Sequence, residues 1–288
     1  MRSYFKISNI MFSVEYPDNL DFPKNFALFE DPKEAIDEES QYRYRITLMD
    51  TPILEKDTPQ GWETVAERED IRVYKKGEYE MRLLAARGRE GFYGRYTELP
   101  DNNISIELDK AYSDLLGLDT VFSSMFALEK RAYEEGDLVL HCAYMEHDGE
   151  AVLFSAPSGV GKSTQAGLWE KYRGSRVQNG DRALLVRGEG EWYACGWPVC
   201  GSSEICNNTK HPIRAIVTLS QEKENRVERL SPMQSFSKLY SEITVNSWDR
   251  SAQISSMDLL DELISRVPVY HLGCDISEEA VRVLEGVL

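Results

Sequence analysis

Ala156-Pro157-Ser158-Gly159-Val160-Gly161-Lys162-Ser163-Thr164 sets small, turn-forming residues beside a lysine and two hydroxyls, and that combination suits the holding of phosphate. Small residues let successive backbone N–H groups converge on anionic oxygens, and a helix opening there adds the positive end of its dipole. Gly159 and Gly161 allow sharp turns that a Cβ would resist. Lys162 has the reach for terminal phosphates, and the Ser163 hydroxyl can ligate magnesium. Ala156 stands where the strict pattern has its first glycine, and alanine is tolerated there if φ is negative. A second chemical feature is Asn179-Gly180-Asp181. Phosphoryl transfer needs a carboxylate to hold the metal or to accept the proton of an attacking hydroxyl, and Asp181 is the candidate for either duty. Taken alone, Asn-Gly-Asp is equally a good turn sequence. His141 is a third candidate, although a lone strand histidine is more often a packed, hydrogen-bonded residue.

These residues require particular elements around them. The apolar run Ala151-Val152-Leu153-Phe154 reads as a buried strand, and Ser163 to Tyr172 as the following helix, which gives the strand–loop–helix context that a GK[ST] match needs. Leu138 to Tyr144 reads as the preceding strand, turned by His147-Asp148-Gly149, so a hairpin runs into the loop and antiparallel strands are expected on both sides of it. Asp181 comes 19 residues after Lys162, room for one helix and one strand to bring the chain back. Further strands are expected at 183–186, 191–195 and 213–219. Helices are expected from Ser231-Pro232, over Met257 to Val267 and over Ser277 to Leu288. Gly196-Trp197-Pro198 and Cys200-Gly201-Ser202-Ser203, with Asn207 and Asn208 beyond, read either as a pocket rim or as an ordinary surface loop.

The first part of the chain lacks such a gathering of titratable groups. Its alternating stretches (Tyr4 to Phe12, Tyr42 to Leu48, Ile71 to Tyr74, Ile104 to Leu108, and two strands within Tyr79 to Tyr96) are the pattern of half-buried antiparallel strands. Asp119 to Glu134 suits a helix ended by Glu135-Gly136-Asp137. The expected division is a β-rich domain over 1–117 and a nucleotide-binding domain over 118–288.

Composition narrows the class. The chain has 288 residues, 42% hydrophobic and 28% charged, an ordinary globular balance with enough length for a real core. A net charge of −16 argues against nucleic acid as a partner. Glu30-Asp31 and Asp37-Glu38-Glu39 read as solvated surface charge. No apolar run is long enough to cross a bilayer, and Met1-Arg2-Ser3-Tyr4-Phe5-Lys6 is not a secretory leader. The five cysteines are an odd, scattered set. Neither a disulfide framework nor a zinc spacing emerges, and reduced thiols in the cytoplasm are expected.

Leu140-His141-Cys142, then Ala156 to Thr164, then Asn179-Gly180-Asp181, then Gly196-Trp197-Pro198, resembles in order the HPr kinase/phosphatase catalytic domain and its kinase relatives, over about residues 135–245. The resemblance implies an α/β fold, a P-loop mixed sheet like that of phosphoenolpyruvate carboxykinase, with the β-rich N-terminal part as an accessory domain. It implies ATP and Mg²⁺, with Lys162 and Ser163 in the phosphate and magnesium roles and His141 as the active-site histidine. The acceptor would be a serine-type hydroxyl on a protein, peptide or small molecule. Where the family shows two adjacent aspartates, this chain has Gly180-Asp181, so the family's phosphocarrier substrate and phosphatase activity are not carried over. The reading is an ATP-dependent kinase. Its alternatives are an inactive ATP-binding scaffold or sensor, and a carboxykinase-like enzyme using Arg182 and Arg214 as its basic groups. Oligomeric state stays open.

Overall fold

The computed structural model describes residues 1–31, 41–86, 88 and 91–288, so the charge cluster Asp37-Glu38-Glu39 lies outside the described residues. The chain divides into two units, Met1–Leu128 and Glu129–Leu288; the expected division after residue 117 falls one helix earlier.

The first unit is an eight-stranded sheet. Its strands are β1 (Arg2–Ile7), β2 (Ile10–Glu15), β3 (Tyr42–Met49), β4 (Glu63–Glu67), β5 (Ile71–Lys76), β6 (Tyr79–Leu84), β7 (Gly94–Leu99) and β8 (Asn103–Asp109), in the spatial order β1-β2-β3-β8-β7-β6-β5-β4. The stretch Tyr4 to Phe12 is thus two strands, folded back at Ser8 with φ of 54°. The antiparallel expectation holds for most of the sheet but fails at its middle, where β3 runs parallel to both β2 and β8.

The expected helix from Asp119 to Glu134 is two helices, α1 (Asp119–Met125) and α2 (Leu128–Glu134). Ala127 breaks it in the left-handed region, with φ of 50°. The Tyr44 hydroxyl donates to the Phe126 carbonyl at 2.8 Å, giving that group a partner outside the helix. Aromatic packing fixes α1 to the first unit: Phe122 stacks on Phe126 with centroids 4.0 Å apart and lies 4.1 Å from Phe26. Each such ring, once buried, contributes about 1.5–3 kcal/mol, which explains why this helix belongs with the strands before it.

The second unit carries β9 (Leu138–His147), β10 (Glu150–Ser155), α3 (Lys162–Arg173), β11 (Arg176–Asn179), β12 (Arg182–Arg187), β13 (Trp192–Cys195), β14 (Lys210–Gln221), β15 (Arg226–Arg229), α4 (Pro232–Tyr240), α5 (Arg250–Arg266), β16 (Val269–Cys274) and α6 (Glu278–Glu285). The fold is α/β, with a mixed sheet in each unit. The expected hairpin is present as β9 and β10, but β10 has antiparallel β9 on one side and parallel β14 on the other. β14 is in turn parallel to β16, so three parallel strands end together where the loop begins. That differs from the expected antiparallel surroundings; strand hydropathy cannot tell which neighbour a strand will take.

Both faces of this sheet are buried, as alternation along β9 and β10 shows. Leu138, Leu140, Cys142, Tyr144, Ala151 and Leu153 join one core with residues of α4 and α5. Ala143, Met145, Val152 and Phe154 join another with Ala166, Leu168 and Trp169 of α3 and Ala280, Val281 and Leu284 of α6. By the period of two, His141 falls on the α3 side, the side of the loop.

Candidate nucleotide site

β10 ends at Ser155, and the loop from Ala156 to Gly161 turns into α3. Gly159 and Gly161 have φ of 82° and 123°, values a side chain would strain. Ala156 is not among the described residues with positive φ. Gly161 is the N-cap of α3 and no side chain caps the helix, leaving its first N–H groups directed into the loop. At the other end Gly174, with φ of 69°, closes α3 in a left-handed cap.

Lys162 folds back over the loop it follows. Its Nζ donates to the Ala156 carbonyl at 2.7 Å and to that of Pro157 at 3.4 Å. Burial pushes its pKa below the ordinary lysine value, while the carboxylates of Glu242 and Asp181 pull it upward. The ammonium therefore sits in a desolvated place with acids within electrostatic range. Gln221, at the end of β14, donates to the carbonyls of Gly159 at 3.4 Å and Val160 at 3.2 Å, pinning the loop from the neighbouring parallel strand.

Asp181 is placed by Asn179. The wholly buried Asn179 accepts the N–H groups of Asp181 and Arg182 at 2.8 and 2.9 Å and donates to the carbonyls of Trp197 and Val199. Turn chemistry and site building are here the same thing: the Asx turn aims Asp181, and its amide ties down the 197–199 segment. Trp197 and Val199 are buried, so this segment is core, and the Gly201–Ser203 turn comes close to the site, with a Cβ at Gly201 falling 3.1 Å from the Asp181 carboxyl carbon. Ser163 Oγ donates to the Gly180 carbonyl at 3.4 Å. Asp181 Oδ1 lies 3.6 Å from His141 Nε2, and Oδ2 accepts from Arg182 Nε at 3.2 Å.

The structure thus brings Lys162, Ser163, Asp181 and His141 into one neighbourhood. Arg182 lies there too; Arg214 does not, since it donates to the Leu288 carbonyl and pairs with Glu150. Sequence reasoning missed Glu242 and Thr244. They sit on the segment after α4, which lies along β9: His141 N–H donates to the Glu242 carbonyl and Thr244 N–H to that of Val139, both at 2.9 Å. Glu242 Oε2 is 2.8 Å from His141 Nδ1, and the Thr244 hydroxyl accepts from Arg182 at 2.5 Å. No local motif announces these two.

Among the described residues no cluster of three or more His, Cys, Asp or Glu is arranged to hold a metal. The donors present, a serine hydroxyl and one aspartate, fit Mg²⁺, which takes few protein ligands and fills its shell with phosphate oxygens and water. All five cysteines are free, four of them buried. Among the described residues no helix is long and apolar enough to cross a membrane.

The α/β chain thus carries a helix opened by a glycine-bent loop at the end of a parallel strand, with a lysine at its start and a carboxylate within electrostatic range. Residues 105–288 match the family described as SynChlorMet cassette protein ScmC, well over half of the chain, and the chain belongs to that family. No curated protein matches it. Among solved structures, 42 chains match. One is the HPr(Ser) kinase/phosphatase from Coxiella burnetii, at 11% identity and a TM-score of 0.30, covering 51% of this chain and 94% of that one.

Proposed function

We propose that this chain is an ATP-dependent phosphotransferase that moves the γ-phosphoryl group to a serine-type hydroxyl on a protein, peptide or small molecule. The observation that carries this reading is the convergence of His141, the adjacent Lys162 and Ser163, and Asp181 around the loop, from three separate points in the sequence. The backbone N–H groups from Ser158 to Thr164 cradle the phosphates, and Lys162 offsets charge on the transferring group. Magnesium, held by Ser163 and Asp181, would supply further positive charge at the phosphates. Asp181 is the group that accepts the hydroxyl proton as the acceptor oxygen bonds to the γ phosphorus; the bond to the bridging oxygen breaks, and ADP leaves with the electron pair. His141 stands beside Asp181, with Nε2 3.6 Å from Oδ1.

Transfer of radiolabelled γ-phosphate to hydroxyl acceptors, or its release to water, tests this. Asp181→Asn is expected to lower the rate by about 100-fold or more while ATP still binds. Equal rates in the two proteins remove Asp181 from the chemistry. Gly180, standing where the resembling kinases have a second aspartate, favours one rival: a nucleotide-binding sensor that neither transfers nor hydrolyses. ATP binding with no phosphate release would establish it.

A further inference from the structure

The site holds a second carboxylate after all, reached by a different route. A Cβ at Gly180 would fall 2.1 Å from the Ser203 hydroxyl oxygen, which is itself fixed by donating to the Cys200 carbonyl at 2.7 Å. An aspartate there would force the Ser203 turn to shift. Glu242 instead comes from the segment hydrogen-bonded to β9, with its side chain 11% exposed.

A carboxylate only accepts hydrogen bonds, so its 2.8 Å contact with His141 Nδ1 calls for a ring hydrogen on Nδ1, and in the neutral ring this leaves Nε2 bare toward Asp181. Nε2 and Asp181 Oδ1 stand 3.6 Å apart, too far for a direct hydrogen bond, and with the ring neutral two acceptors face each other. A hydroxyl is the group that completes such a pair, because its single hydrogen is directed to one acceptor while its oxygen stays free. The chain of contacts closes on itself: Glu242 to His141, His141 facing Asp181, Asp181 to Arg182, and Arg182 to Thr244. It begins and ends on one three-residue segment, so both acceptors are aimed by the same piece of backbone.

We propose that Glu242 is a positioning residue of this site, and that by holding His141 it forms, between Nε2 and Asp181, the seat for the hydroxyl that receives the phosphoryl group. This rests on the phosphotransfer reading above. The test is made on the full chain. Nitrogen-15 shifts of the histidine rings, at a pH where the imidazole is neutral, report which nitrogen of His141 carries the hydrogen, and phosphate release from ATP to water reports turnover. Wild type is expected to show hydrogen on Nδ1. Glu242→Gln, whose amide oxygen still accepts, is expected to keep that tautomer. Glu242→Ala is expected to lose it, with kcat falling about tenfold or more and KM for ATP unchanged; an ATP-induced rise in melting temperature in each variant shows that it is folded. Hydrogen on Nε2 in wild type, or the same tautomer and kcat in Glu242→Ala, overturns the role of Glu242 while leaving the kinase reading in place. A wild type that binds ATP and releases no phosphate overturns the kinase reading, and the seat with it.

Discussion

Lys162 shows how one side chain can be costly to the fold and useful to the site. Its ammonium is buried against two loop carbonyls, and burial lowers its pKa; a desolvated cation is worth little to stability even when paired. Lys162→Met should therefore leave the melting temperature without ATP nearly unchanged, within about 1 kcal/mol, and abolish the rise that Mg·ATP produces in wild type. Thermal melts with and without nucleotide measure both. Asp137, just before β9, tests burial in the opposite sense. It is 2% exposed, its Oδ2 has no hydrogen-bond partner among the described residues, and burial raises its pKa from 3.8 to about 7. Between those values the folded chain holds a proton that the unfolded chain has lost. Its contribution is therefore complete below the unfolded pKa and is lost as pH rises toward 7. Asp137→Asn is expected to flatten that slope and to stabilise the protein at neutral pH by at most about 4 kcal/mol, read from denaturant titrations across the range.

Elements decide which of these residues meet. The loop and its helix were legible in the sequence because glycine, lysine and serine at fixed offsets carry a backbone requirement with them. Asp181 was legible as a candidate, since a turn sequence one helix and one strand downstream can return to the loop. Glu242, Thr244 and Gln221 were not, because each is delivered by the pairing of strands or segments distant in sequence, and nothing in its own neighbourhood records that pairing. The parallel run of β3 between β2 and β8, and of β14 between β10 and β16, was hidden for the same reason. Close packing between two turns makes a sharper prediction. A Cβ at Gly180 collides with Ser203, so Gly180→Ala should destabilise by about 1–3 kcal/mol. Adding Ser203→Gly should recover most of that loss. A double-mutant cycle by chemical denaturation checks it, and additive effects would show that the two turns do not press on one another.

Across the whole chain, patterning gave a β-rich first part and the family resemblance implied the α/β class, while the helix at Asp119–Met125 went with the strands before it through aromatic packing that charge and turn signals did not show. The residues proposed to meet a nucleotide, those of the loop with its lysine, the Asx turn and the segment after α4, belong to the unit Glu129–Leu288. The central claim is that the backbone from Pro157 to Thr164 holds the phosphates of ATP. A crystal structure of the full chain with a non-hydrolysable Mg·ATP analogue tests it most directly. The expected result is a triphosphate ringed by the amides of Gly159 to Thr164, with Lys162 turned from the Ala156 carbonyl to a phosphate oxygen and Ser163 and Asp181 beside the metal. A triphosphate bound elsewhere, with Lys162 still on its carbonyls, would contradict it.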